Sequence, residues 1–460
     1  MSGYFYTLLA ACTAAALLTT TPADAKSVST LDPQAKTGLD KALTDMVGNA
    51  PTQVPGLGVI VYKNGERVYS NFLGSRNINN SNPKLNKPVT EKTRFRVASV
   101  SKQFTAYTIL QLAEQKKLDL DTDVIHYLGF RLRNPNYPTV PITVRMLMDH
   151  TSSLRDGNDY SLRPDKSLQE FFSPAGSKYD NGAHYAPLGQ APGHYFTYCN
   201  LNYGLLATII EKVTGERFDL YLKNHIFKQL DMKAEYLPAN LRSGDFANLG
   251  ALYRKRDANG NWDASGPWHA VVDQYNYQPP RDNVKLGSTW YNLKNYKPGL
   301  NATAFGPQGS LRVSYNELEH DLVMLMNKGR YNGKRILNPV SYNAMISPSW
   351  TYNPAQKNGD TYNGTILSYG LGLWQIDGNT TARVCEAHPV DLIGHTGEAY
   401  GMLSGIFFRP HRKDGFLYMM NGEGVEEDSD PRSQGKFSGN YIWEENLMNA
   451  VCKYAFFNGK

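Results

Sequence analysis

Apolar residues along the chain keep mostly to two periods. Leu39, Leu43, Met46 and Val47 recur at helical spacing and predict an amphipathic helix near the start. "GLGVIVYKNGERVYSNFLG" then reads as two β-rich runs around Asn64-Gly65, residues that suit a tight hairpin turn. Helical spacing returns in "TRFRVASVSKQFTAYTILQLAEQKKLDLD", where Phe104, Ile109, Leu112 and Ala113 make an apolar face. Two further helices are expected, over Asn200–Gly215, stopped by its glycine, and over Phe218–Leu230. "NELEHDLVMLMNKGRYNGKRIL" reads as a helix followed by a Gly-rich turn. "YGLGLWQID", "GMLSGIFFRP" and "GFLYMMNG" are strand-like, and Trp443, Leu447, Val451 and Tyr454 mark a closing helix. Strands at both ends with helices between them predict an α/β domain built from residues 26–95 and 305–460, with a mainly helical insertion over 96–304. The pattern fails from Pro238 to Phe305, where Trp262, Trp268, Tyr275, Trp290 and Tyr296 follow no period. That stretch is either the wall of a cleft or an aromatic cluster packing a long loop.

The first residues differ from the rest. Thr7–Leu18 is an uncharged apolar run, and Ala23-Asp24-Ala25 offers a small-x-small cleavage site. This predicts a signal peptide over 1–25 and a periplasmic or secreted protein, although no Lys or Arg precedes the run. Leu9-Ala10-Ala11-Cys12 resembles a lipoprotein box but comes too early to leave a proper apolar segment. No later stretch is long and apolar enough to cross a bilayer. Cys199, Cys385 and Cys452 remain after cleavage, and Cys385 with Cys452 is the expected disulfide.

Composition adds exclusions. At 460 residues, 41% hydrophobic and 20% charged, the chain is ordinary globular protein and not disordered. A net charge of +6 without any run of five like charges leaves no footprint for nucleic acid. CxxC, HExxH and clustered His/Cys ligands are missing, as are GxGxxG and Walker loops, so neither a metal nor a cofactor is expected.

Three short stretches carry the candidate chemistry. In "RVASVSKQFTA", Ser99 stands three residues before Lys102, which on a helix brings their β-carbons to about 5–6 Å. Ser99 falls at or near a helix start, where unpaired N–H groups favour negative charge. Tyr198-Cys199-Asn200 directly precedes a helix, and His395-Thr396-Gly397 begins a strand. Taken in this order, SxxK, YxN and HTG resemble the serine β-lactamase and penicillin-recognising fold family, close to class C β-lactamases, DD-peptidases and related esterases. "ITVRMLMDHTSSL" is similar to the family's stretch between its first two motifs, with Ser153 where a glycine usually stands. The likeness runs from about Leu57 to Gly422, apart from the Pro238–Phe305 excursion.

The resemblance implies a β-lactamase-like fold, an antiparallel sheet flanked by helices with an inserted helical domain. It also implies a serine hydrolase that works through an acyl-enzyme on a small-molecule or peptide substrate. Ser99 would be the nucleophile, with Lys102 and Tyr198 sharing the proton transfers in an order that the residues leave open. Asn200 would grip a substrate amide and orient Lys102. The backbone N–H groups of Ser99 and Glu398 would form the oxyanion hole, beside His395, Thr396 and Gly397 in the substrate cleft. His395 where β-lactamases carry a lysine favours a DD-carboxypeptidase, D-aminopeptidase-like enzyme or esterase. Hydrolysis of β-lactams and a non-catalytic cell-wall peptide sensor are the alternatives. A carboxylate-bearing substrate is expected to bind better as pH falls through the His395 titration. Asp149-His150 looks like part of a Ser-His-Asp triad, but the resemblance makes it structural, and Cys199 reads as a small buried side chain. No G-x-S-x-G elbow occurs, against an α/β-hydrolase.

Overall fold

The computed structural model describes residues 30–459. The predicted signal peptide and Cys12 lie outside the described residues. Nine strands form one antiparallel sheet. At its centre the strand Gly415–Met420 pairs on one side with Met402–Phe408 and on the other with Gly56–Lys63. Strands from the two ends of the chain are therefore neighbours, as the periodicity predicts. Gly56–Lys63 and Glu66–Asn77 form the expected hairpin, and Asn64 (φ 55°) and Gly65 (φ 86°) both take the positive φ that its turn needs.

The central strands are buried along their whole length because the sheet is covered on both faces. Alternate residues divide between the two sides. Leu57, Val59, Phe407, Phe416 and Tyr418 pack with Leu39, Leu43, Trp443 and Leu447 of the first and last helices. Ile60, Ile406, Leu417 and Met419 face the Tyr315–Met326 helix and the helical lobe. Cys385 and Cys452 are joined, fastening the loop before the Leu392–Ala399 strand to the C-terminal helix. Cys199 is free and buried. Among the described residues no helix is long and apolar enough to cross a membrane.

The helical lobe is centred on the helices Lys102–Glu114 and Asn200–Thr214, the second closed by Gly215 at φ 73°. The helix expected over Phe218–Leu230 ends earlier. It is α-helical to Leu222 and then widens into a π-turn over Lys223–Phe227.

The excursion is more ordered than its lack of period predicts. Leu252–Lys255 pairs with Trp268–Val272 and, in parallel, with Gly422–Glu423. Asn283–Leu286 and Thr289–Asn292 form a hairpin. Both readings of its aromatics hold in part. Trp268 packs with Ala251 and Tyr253 in a small separate cluster, while Tyr275 lines a cavity beside the main cleft.

Candidate active site

Ser99 lies in a single 3-10 turn, Ala98–Ser101, which runs into the helix starting at Lys102. Ala98 holds φ 44°, a left-handed conformation costly for a residue with a β-carbon, so the turn is strained where it presents Ser99. Ser404 Oγ donates to Val97 O (2.8 Å), tying the turn to the sheet. Gly397 faces the same turn. A β-carbon there would come 2.5 Å from Val97 O and 2.9 Å from Ser99 N. Glycine is what lets the strand Leu392–Ala399 approach the Ser99 amide so closely.

Lys102 is fully buried beneath the serine. Its Nζ lies 2.9 Å from Ser99 Oγ, 2.7 Å from Asn200 Oδ1 and 3.1 Å from Gln308 O. The two carbonyl oxygens occupy two N–H bonds of the amine, and its third direction points at the serine hydroxyl. Burial lowers the Lys102 pKa to about 7, against the opposing pull of the Asp156 carboxylate. Asp156 anchors the second motif. It accepts from Asn200 Nδ2 (2.9 Å) and from Leu201 N (2.8 Å), capping the start of the Asn200–Thr214 helix. An Asp156–Asn200–Lys102 chain results.

The Tyr198 side chain lines the cleft beside Ser99, and its ring lies 4.6 Å from Lys102 Nζ. Burial drives its pKa well above the usual tyrosine range. His150 stacks on that ring at 4.4 Å, and its Nδ1 accepts from Cys199 N at 3.0 Å. Asp149 is not its partner. The Asp149 carboxylate accepts from Thr151 Oγ1 (2.6 Å) and Ser349 Oγ (2.5 Å) instead. His150 thus supports Tyr198 and forms no triad.

His395 sits between Trp374, stacked at 5.0 Å, and Tyr369, whose hydroxyl is 3.1 Å from Nε2. Tyr198 Oη lies 3.5 Å from the same nitrogen. Burial, and then the Lys102 charge, push the His395 pKa down to about 3. The expected gain in carboxylate binding with falling pH is corrected here, because the ring is neutral throughout the ordinary working range.

Ser99, Tyr198, Asn200, His395, Thr396 and Glu398 line one cleft of about 720 Å³, with Lys102 at its base and Gly397 behind it. The Glu398 side chain points into an acidic group. Its oxygen and those of Glu423 and Glu427 lie within 4.8 Å of one another, around the Arg254 guanidinium. Burial and the Glu427 charge raise the Glu398 pKa to about 7.

Asp156, Gln308, Tyr369 and Ser404 were not flagged by the sequence. Asp156 does follow the flagged Ile142–Leu154 stretch by two residues, which is the one signal that could have found it. Ser153, where the family has glycine, takes φ 63°. Its Oγ accepts from buried Asn134 Nδ2 at 2.6 Å, a bond that offsets part of the strain.

Protein flp of Staphylococcus aureus (strain MW2) is 28% identical over 184 residues, 39% of this chain and 34% of that protein. The putative penicillin-binding protein PbpX of Bacillus subtilis (strain 168) is 26% identical over 256 residues, 53% of this chain and 59% of that protein. The chain therefore spans about a third to three fifths of these curated relatives. The D-amino acid amidase from Ochrobactrum anthropi SV3, solved with L-phenylalanine amide, has the same fold, with a TM-score of 0.60 at 18% identity over 93% of this chain and 100% of that one. The profile of the family described as Beta-lactamase matches residues 43–438, most of the chain, and with the antiparallel sheet and the three motifs in one cleft it shows that this protein belongs to the beta-lactamase family.

Proposed function

We propose that the protein is a secreted or periplasmic serine hydrolase that forms an acyl-enzyme on Ser99 and acts on D-amino-acid amides, D-peptides or esters. One observation carries this reading: a buried lysine with a pKa near 7 lies 2.9 Å from the serine hydroxyl, with both of its other bonds taken by carbonyl oxygens. Lys102 loses its proton before Tyr198 does, so Lys102 is the base. Ser99 Oγ bonds to the substrate carbonyl carbon while its proton passes to Lys102 Nζ. The N–H groups of Ser99 and Glu398 bind the oxyanion. Collapse breaks the bond to the leaving amine or alcohol, which takes the proton through Tyr198. Water then attacks the acyl carbon by the same route and frees the acid and Ser99.

Neutral His395 offers no cation to a substrate carboxylate, which favours amide and ester substrates over β-lactams at this position. The Cys385–Cys452 disulfide supports an oxidising compartment. The test is steady-state hydrolysis of a D-amino-acid amide, a D-Ala-D-Ala peptide, a chromogenic ester and a chromogenic cephalosporin. The amide or ester is expected to give the highest kcat/KM. Faster turnover of the cephalosporin than of any other compound contradicts the reading.

A further inference from the structure

Behind one wall of the cleft lies a second chamber of about 310 Å³. Arg96, Tyr160, Gln308 and Tyr400 line both spaces and so form the junction between them. Away from the junction the excursion supplies Tyr275, Val284, Leu286 and Phe305 to the lining. Aromatic and apolar side chains line the chamber together with polar ones, among them Asn158, Ser161 and Asp159, whose charge is taken by Lys178, and the junction carries surplus positive charge. Buried Arg312 is paired with Asp273 through two bonds of 2.9 Å. The Arg96 Nε donates to Gly309 O at 2.8 Å, and its guanidinium lies 4.7 Å over the Tyr400 ring. Among the described residues no carboxylate lies within ion-pair distance of Arg96. Two neighbouring guanidinium groups therefore share one aspartate. An uncompensated, partly buried charge is costly unless something pairs with it.

We infer that the chamber is a substrate subsite for a carboxylate carried on an apolar or aromatic arm, with Arg96 as its partner at the junction. This rests on the Ser99 reading above, because the arm enters from the cleft where that serine acts. Arginine suits the task, since its planar fork meets both oxygens of a carboxylate. The subsite also gives the excursion a role, because without it the chamber would lack that part of its lining.

The probes are two para-nitrophenyl esters of one aryl-alkyl diacid, the first with its distal carboxylate free and the second with it capped as a methyl amide. The wild-type protein is expected to prefer the free acid in kcat/KM. That ratio is expected to fall about tenfold or more in Arg96→Gln, through KM, and to recover in part in Arg96→Lys. A second variant, Leu286→Trp, fills the chamber without touching Arg96's charge. It is expected to lower kcat/KM for both long-armed esters relative to para-nitrophenyl acetate. Turnover of both esters with an unchanged ratio in Arg96→Gln overturns the subsite and leaves the Ser99 reading standing, as does an unchanged kcat/KM of the long-armed esters relative to para-nitrophenyl acetate in Leu286→Trp. Failure of the wild-type protein to turn over any of the three esters overturns the Ser99 reading and the subsite with it.

Discussion

Arg96 and Lys102 are six residues apart and serve the same cleft, yet their surroundings are opposite. Lys102 is fully buried and fully engaged, with Ser99, Asn200 and Gln308 around one nitrogen. Arg96 is only partly buried and spends one N–H on Gly309 O, with its charge left unmatched. Burial brings the lysine into the range where it can exchange a proton near neutrality, while the arginine stays a fixed cation. A site that must perform chemistry saturates its polar groups in advance, because misplacement costs rate. A site that must recognise a ligand leaves a bond for that ligand to complete.

The largest effects belong to the saturated side. Lys102→Ala and Tyr198→Phe are each expected to lower kcat by about 10²–10⁴. Their double variant is expected to lose little more than the worse single one, since the two groups handle one proton. Losses that multiply would mean that the residues act separately. The measurement is kcat on a neutral ester for all four forms.

The pH profile sharpens the same point. For a neutral ester, kcat/KM is expected to rise about tenfold per unit on the acid side and level off above pH about 7, as Lys102 loses its proton. His395 titrates far below that limb, at about 3, so His395→Gln is expected to leave its position within half a unit or so. A limb that moves by more than about one unit in that variant would assign the titration to the histidine instead.

Stability separates the two cations more gently. The Lys102 pKa is about 7 in the folded chain and about 10.4 when unfolded, so the unfolded state binds the extra proton between those values. The burden of burying Lys102 is therefore full below pH 7 and fades as pH rises. Lys102→Met is expected to stabilise the fold more at about pH 6 than at about pH 9, by on the order of 2 kcal/mol. Arg96→Met is expected to show no such difference, because arginine stays charged at both. Urea unfolding at the two pH values decides it. Equal pH dependence for the two variants would contradict the contrast.

The smallest effect concerns backbone strain beside the second motif. At Ser153, φ 63° favours glycine, while the hydroxyl bonds to Asn134. Ser153→Ala keeps the strain and loses the bond, whereas Ser153→Gly loses the bond and relieves the strain. The alanine variant is expected to be the less stable by about 1 kcal/mol, read from thermal unfolding. An alanine variant at least as stable as the glycine variant would show that the position carries no strain.

Much of this was legible in the sequence where interactions are local. The Asn64-Gly65 turn, the apolar face beside Ser99 and the strands "GMLSGIFFRP" and "GFLYMMNG" each carry their own period or turn chemistry. The spacing of Ser99 and Lys102 likewise implied the contact that the fold makes. What escaped depends on partners far along the chain. Leu252–Lys255 shows no alternation of its own and is held between Trp268–Val272 and Gly422–Glu423, the latter about 170 residues away. Asp156 gained its place only when the Asn200–Thr214 helix was laid against it. His395 read as a titratable cleft residue because nothing nearby in sequence announces Trp374 and Tyr369 packed around it. Arg96 stood at the head of the motif but could not be distinguished from an ordinary surface arginine until Arg312 and Asp273 lay beside it.

The central claim is that Ser99 takes the acyl group, with Lys102 as its base. The most direct test is intact-mass analysis and peptide mapping after brief exposure to an activated ester, on wild type and on Ser99→Ala. The account predicts one acyl group per wild-type chain, located on Ser99, and none on Ser99→Ala under the same conditions. An adduct that persists in Ser99→Ala, or that maps to another residue in the wild-type protein, would contradict it.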